Sequence, residues 1–146
     1  MIEIVTGDLL AADAEALVNP VNCVGVMGEG LSAAFKKKSP AAFTAYAKAC
    51  KNGEVVPGRI FVFDAGERVI LHFPTKRHFR DQSNLKDIDV GLTALASEIE
   101  ERGIRSIAVP ALGCGPGGLD WDVVRPLIEA ALGKLEGTRV LLYPPS

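Results

Sequence analysis

The stretch that decides the fold is ALVNPVNCVGVMGEGLSAAFKKK, residues 16–38. Its first six residues are almost all apolar and predict a short buried β-strand. Three glycines follow in a loop, and the segment GLSAAFKKK, residues 30–38, predicts a helix that begins where the glycines end. A strand that leads through a glycine loop into a helix is the unit from which α/β sheets are built.

Strand and helix patterns alternate on both sides of this unit. Further strands are predicted at 2–7, 59–64, 68–73, 105–111 and 138–145, and the short link AGE between two of them indicates a hairpin. Further helices are predicted at 39–53, 83–103 and 119–135, the last interrupted or kinked around Pro126. The predicted fold class is therefore α/β: a three-layer α/β/α sandwich with a mixed, mostly parallel, six-stranded sheet.

The overall composition predicts one soluble domain, residues 1–146, and excludes a generally basic protein. Hydrophobic residues make up 48%, charged residues 23%, and the formal net charge is -2. Any anion must then be bound by local features of the surface.

Cysteine and histidine usage argues against a metal or a disulfide framework. The three cysteines are widely spaced without a C-x-x-C motif, and the two histidines, His72 and His78, do not form a metal pair. The N-terminal MIEIVTGDLL has no signal-peptide pattern. We expect a cytoplasmic monomer that has no membrane span, no metal and no organic cofactor.

Two glycine loops stand at corresponding strand ends. The second is GCGPGG, residues 113–118, just before the helix that begins near Asp120. Glycine lets main-chain N–H groups approach an anion, and a helix N-terminus adds a favourable partial charge. Two such loops favour a diphosphate held between them over the alternative that glycines only close tight turns. GEGLSA lies after the wrong strand for a dinucleotide fingerprint, and GCGPGG lacks the G-K-[ST] of a nucleoside triphosphatase.

Four other residues near the strand ends are each compatible with a ligand-binding role and with a purely structural role. Asn19 and Asn22 are suited to ribose hydroxyls or to stabilising a turn. Asp8 is suited to accepting a bond from the amine of a base or to capping a turn. Tyr143 is suited to stacking on a base or to ordinary packing.

A cationic stretch, HFPTKRHFRD at 72–81, follows a predicted strand directly. Lys76 lies nearest the strand end, where an amine can form a Schiff base, transfer a proton or stabilise charge on a leaving group. The residues further out are suited to the phosphates and bases of a nucleic acid, or belong to a solvated loop: Arg77, His78, Phe79 and Arg80.

Taken together, these motifs resemble the macrodomain family, whose members bind ADP-ribose. The resemblance covers nearly the whole chain and rests on GD after the first strand, NPVNCVGVMGEGLSAAFKKK and VPALGCGPGGLDW, in that order. It implies that Lys76 is catalytic, with Asn22 as a second catalytic position. It also implies ADP-ribose contacts at Asp8, Leu9, Asn19, Asn22, Gly25, Met27, Gly28, Gly30, Leu31, Thr75, Pro110, Leu112, Gly113, Cys114, Gly115 and Tyr143.

Within the family, the sequence is most similar to the branch of the terminal ADP-ribose glycohydrolase and the DNA ADP-ribosyl glycohydrolase antitoxins. The former uses an aspartate in the second loop, where this chain has Gly117, so the resemblance favours the antitoxins. It implies removal of ADP-ribose from thymidine in single-stranded DNA and, with a further C-terminal domain, binding of a DarT-type toxin. A non-catalytic ADP-ribose-binding module and a hydrolase of ADP-ribose on protein or small esters remain alternatives.

Overall fold

Six strands form one sheet in the computed structural model, which describes residues 1–146. They are β1 (Ile2–Ile4), β2 (Ala16–Val21), β3 (Phe61–Asp64), β4 (Val69–Pro74), β5 (Ser106–Val109) and β6 (Arg139–Leu142). Their order across the sheet is β1-β6-β5-β2-β4-β3. All neighbours run parallel except β3, which is antiparallel to β4. The mixed six-stranded sheet expected from the sequence is confirmed.

Four helices cover the two faces of this sheet. They are α1 (Gly30–Lys38), α2 (Pro40–Lys51), α3 (Leu85–Arg102) and α4 (Trp121–Leu132). Helices α1 and α2 pack on one face, and α3 and α4 pack on the other. The predicted three-layer sandwich is therefore confirmed. Two short 3-10 turns, Leu9–Ala11 and Gly115–Gly117, were not predicted.

Helix ends follow the local sequence. The Ser39 hydroxyl accepts from the N–H of Ala42 at the start of α2, and Gly103, with φ 62°, ends α3. Helix α4 continues through Pro126, so the predicted break is not an interruption. Strand β1 ends at Ile4, three residues earlier than predicted.

The core alternates with the strand period of two. In β4, Leu71 and Phe73 contribute to the larger apolar cluster beneath α3 and α4, whereas Ile70 points to the α1 and α2 side. Gly91 in α3 faces the Phe73 ring so closely that any Cβ would collide with it. This contact lets α3 approach the sheet and fixes its position beside the end of β4.

None of the four helices combines the length and the apolar character that a bilayer-spanning segment needs.

Candidate functional site

An open cleft of about 1010 Å³ lies at the carboxyl edge of the parallel strands. This is the edge at which ligands bind in open α/β sheets, and the volume is enough for a dinucleotide-sized molecule. Five segments line the cleft, from the ends of β1, β2, β4, β5 and β6.

Most of the predicted ligand-contacting residues are brought together in this cleft. Those that line it are Asp8, Leu9, Asn22, Gly28, Gly30, Leu31, Thr75, Pro110, Gly113, Cys114, Gly115 and Tyr143, together with Lys76 and Phe79.

Four predicted contacts lie outside the lining. Asn19 is fully buried, with its amide nitrogen 3.9 Å from the sulfur of Met27, and Leu112 belongs to the core beneath α3 and α4. Gly25 packs against Ala47 of α2. These residues support the wall of the cleft from behind.

Asn22 organises the first glycine loop. Its Nδ2 donates to the carbonyl of Val26 at 2.8 Å, and its Oδ1 accepts from the N–H groups of Val24 at 3.0 Å and Val26 at 3.4 Å. One amide hydrogen is left over for a ribose hydroxyl. The turn-forming and ligand-binding interpretations of this asparagine are therefore compatible.

Tyr46 supports Asn22 from inside the protein and was missed in the sequence. Its ring is fully buried and stacks on His72, with centroids 5.6 Å apart. His72 Nδ1 lies 3.0 Å from the carbonyl of Phe61, which can only accept, so Nδ1 carries the hydrogen. Burial lowers the pKa of His72 to about 4, so the ring is neutral at pH 7. The only signal in the sequence was one tyrosine in an alanine-rich helix.

Both glycine loops present unused main-chain donors. The side chain of Glu29, the residue before helix α1, does not cap the helix, so the N–H groups of its first turn remain available. In the second loop the N–H groups of Gly113 and Gly115 make no hydrogen bond within the protein. Gly113 and Gly115 have φ values of 76° and 75°, which other residues rarely adopt. The two loops can therefore bind anionic oxygens.

Lys76 is the only lysine or arginine among the residues that line the cleft. Its side chain is half-buried, and its Nζ lies 3.5 Å from the carbonyl of Phe79. Two acidic side chains, Asp8 and Glu29, also line the cleft, and both belong to other segments. The loop that carries Lys76 therefore places one amine beside the anion-binding loops.

The outer cations have different surroundings. Arg77 forms a two-point ion pair with Asp87, in which both N–O distances are 3.2 Å. The rings of His78 and Phe79 lie 4.2 Å apart, and the Arg80 guanidinium lies 5.5 Å from the Phe79 ring centre. Arg80 has no acidic partner, whereas the charge of Arg77 is compensated.

Asp8 caps the 3-10 turn that follows β1. One of its oxygens accepts from the N–H of Leu10 at 3.0 Å, while the exposed carboxylate also lines the cleft opposite the glycine loops. Tyr143 lines the same end of the cleft and is half-buried. Both interpretations of Asp8 are compatible, since the second oxygen remains free.

Fold and site together define an α/β/α domain with a cleft at the carboxyl edge of its sheet, lined by two glycine loops that have unused main-chain donors. The family model of the Macro domain matches residues 18–128. The chain belongs to the macrodomain family, as the motifs in its sequence indicated.

Known proteins with similar sequences and structures indicate which branch of the macrodomain family this chain resembles. The chain is 51% identical over 150 residues to a DNA ADP-ribosyl glycohydrolase of Mycobacterium tuberculosis, with 100% of this chain and 43% of that protein covered. The solved macrodomain of Mycobacterium tuberculosis DarG superposes with a TM-score of 0.99, covering 100% of this chain and 99% of that one. Thermosipho africanus DarTG in complex with ADP-ribose gives a TM-score of 0.92 at 36% identity, covering 99% of this chain and 41% of that one. The chain thus spans less than half the length of the DNA ADP-ribosyl glycohydrolases that it matches.

Proposed function

We propose that this chain is an ADP-ribosyl glycohydrolase that removes ADP-ribose from thymidine in single-stranded DNA. The observation that carries the proposal is the position of Lys76, the one cationic side chain in a cleft whose two glycine loops offer free main-chain donors. The similarity to proteins named DNA ADP-ribosyl glycohydrolase supports DNA as the substrate.

Binding of ADP-ribose follows from the distribution of donors and acceptors. The diphosphate lies between the first turn of α1 and the second glycine loop, where the unused N–H groups are. The free oxygen of Asp8 accepts from the adenine amine at the far end, near Tyr143. This orientation brings the distal ribose to Lys76.

Catalysis then requires the bond between the distal ribose and the base to break. Water adds to the anomeric carbon, and the electron pair of the glycosidic bond goes to the ring nitrogen of the base. Lys76 donates the proton that the leaving base needs and regains one from the added water, or it orients the attacking water, whose proton then passes to the base. The second glycine loop has no carboxylate to resolve a covalent adduct, and its nearest acid, Asp120, caps α4 through the N–H of Asp122 at 2.9 Å. We therefore favour a non-covalent route.

The DNA strand lies outside the cleft along the residues that follow Lys76. Phe79 lines the cleft and is 41% exposed, so its ring can contact an unpaired base at the mouth. Arg80, which has no acidic partner, is available to a neighbouring phosphate. His78 packs against Phe79 and supports its ring.

The Thermosipho relative is named as a fusion of a DNA ADP-ribosyl transferase with a DNA ADP-ribosyl glycohydrolase. That name supports a DarT-type toxin as the enzyme whose product this chain removes.

One preparation should be offered ADP-ribosylated single-stranded DNA and ADP-ribosylated protein, and released ADP-ribose should be measured. We expect release from DNA well above release from protein. Release from protein or a small ester alone would replace DNA as the substrate. Tight ADP-ribose binding without release from any substrate would identify a binding module.

A further inference from the structure

We propose that Arg77 is a positioning residue for Lys76 and acts through the buried carboxylate of Asp87. This inference rests on the proposed function, because it concerns the same lysine. It assigns Arg77 and Arg80 of the same loop to different roles, although the sequence analysis treated them alike as candidates for binding DNA phosphates.

The carboxylate that accepts hydrogen bonds from Arg77 is held in place by other residues. Asp87 lies in the first turn of α3, and its side chain is only 8% exposed. Asn84 caps the same turn: its Oδ1 accepts from the N–H of Asp87 at 2.8 Å, and its Nδ2 donates to Asp87 Oδ2 at 3.1 Å. The close packing of Gly91 on Phe73 holds α3 against the sheet. The carboxylate is thus part of the rigid scaffold.

Arg77 joins the catalytic loop to this fixed carboxylate. Its Nε and Nη2 each lie 3.2 Å from a different oxygen of Asp87, the two-point geometry that restricts both distance and orientation. A buried carboxylate without its cation would be unfavourable, which keeps the pair closed. The Nε and Nη2 donors of the guanidinium are therefore engaged by Asp87, although the arginine side chain itself is 67% exposed.

The main chain around Lys76 is fixed at three further points. The N–H of Thr75 donates to Val21 at 2.8 Å, and Cys23 donates from its sulfur to the carbonyl of Lys76 at 3.5 Å. The N–H of Cys23 also donates to the carbonyl of Arg77 at 3.2 Å. These contacts hold the main chain of residues 75–77 to the segment after β2, and the Arg77 side chain links the same residues to α3.

The test compares Arg77→Ala, Asp87→Asn and the double variant with wild type on an ADP-ribosylated single-stranded oligonucleotide. We expect each single change to lower kcat about ten-fold, because small displacements of a reacting group are costly. The double variant should be no slower than the slower single one, since both remove one contact. Arg77→Lys, which keeps the charge without the two-point geometry, should give an intermediate kcat.

Asp87→Asn distinguishes positioning from DNA binding. If Arg77 served phosphates, removing its acidic partner would release the guanidinium and tighten DNA binding. Tighter binding, or an Arg77→Ala variant with unchanged kcat and a flatter salt dependence, would overturn the proposal. The matched control is Arg102→Ala, which removes an arginine–carboxylate pair of 2.8 Å with Glu98 at the other end of α3 and should leave kcat unchanged.

A measurement made without substrate tests the role of Arg77 independently of the proposed reaction. NMR order parameters for residues 75–80 should fall in Arg77→Ala and Asp87→Asn and stay unchanged in Arg102→Ala. Unchanged order in the first two variants would reject the anchor. An enzyme that loses order as expected yet releases no ADP-ribose from DNA would reject the proposed function alone.

Discussion

The Tyr46 hydroxyl shares its one hydrogen between two acceptors of Asn22, the main-chain carbonyl at 2.7 Å and Oδ1 at 2.8 Å. Asn22 in turn holds the first glycine loop through Val24 and Val26. A buried residue of α2 therefore determines the shape of a loop that faces ligand on its other side. The first glycine loop is therefore held in shape by hydrogen bonds of the protein itself.

Tyr46→Phe should weaken ADP-ribose binding several-fold and lower the free energy of unfolding by about 1 kcal/mol, the net value of one buried hydrogen bond. The ring stays, so the stack on His72 is retained. Calorimetry and denaturant titration measure the two effects. Unchanged affinity alongside reduced stability would show that the loop does not depend on this hydroxyl.

Lys76→Ala should reduce turnover by about 100-fold or more, the scale of losing a positioned acid–base group. ADP-ribose affinity should change only a few-fold, because the diphosphate and adenine contacts lie on other segments. Single-turnover release from modified DNA gives the rate, and borohydride added during turnover by wild type should trap no lysine adduct. An active Lys76→Ala enzyme would move the catalytic role to the Asn22 region or the second loop.

Gly117→Ala should destabilise the second glycine loop by about 1–3 kcal/mol, as overpacking does in tight sites. The added Cβ would collide with the Ser83 hydroxyl and would lie 3.1 Å from Ser83 Cβ. Ser83→Ala removes that hydroxyl, which is buried without a partner, and should recover most of the loss in the double variant. Thermal unfolding of wild type, the two single variants and the double variant tests the coupling between positions 83 and 117. Purely additive changes in stability would contradict that coupling. The same contact leaves no room at position 117 for an aspartate.

Arg80→Ala should weaken binding to modified single-stranded DNA and reduce the slope of log affinity against log salt by about 0.7, the contribution of one phosphate contact on a single strand. Affinity for free ADP-ribose should stay the same, because Arg80 does not line the cleft. Fluorescence anisotropy at three salt concentrations measures the slope. Lys134→Ala, on the opposite edge of the sheet, provides a control of equal charge. An equal loss for both ligands in Arg80→Ala would reject a separate DNA zone.

His72 should make the protein less stable in mild acid. Burial lowers its pKa from 6.5 to about 4, so between these values the unfolded chain binds more protons than the folded one. The contribution of neutral His72 to the free energy of unfolding is fully present above pH 6.5. It is lost as the pH falls towards 4, by about 3 kcal/mol in total. His72→Phe should show a smaller loss of unfolding free energy between pH 7 and pH 4.5 than wild type. Identical pH dependence in the two proteins would contradict a neutral buried His72.

Local sequence patterns were sufficient to predict most of the helices and strands. Helix α1 begins and ends at the predicted residues because the glycines before it and Ser39 after it mark both ends. The order of the strands could not be predicted from local patterns. Strand β6 lies between β1 and β5, and its pairing with β1 joins segments at opposite ends of this chain. The cleft itself was predictable, because the carboxyl ends of parallel strands meet at one edge.

Side-chain partners explain where the site departs from its prediction. Arg77 and Arg80 look equivalent in HFPTKRHFRD, and only the position of Asp87 in the next helix distinguishes them. Asn19 and Met27 lie in the same motif as Asn22, yet Asn19 points inward from β2 and Met27 of the loop is buried against it. No spacing rule carries that information, because it depends on which face of β2 meets α2.

Strand β1 has one neighbour in the sheet, β6, and their registered pairs join Ile2 to Val140 and Ile4 to Leu142. Of the six strands of this sheet, the first in sequence therefore has no partner until the sixth has been synthesised. Asp8 and Tyr143, which follow these two strands, come together only when synthesis has reached the end of this segment. The side of the cleft that Asp8 and Tyr143 line is therefore completed only by the strand at the far end of this segment.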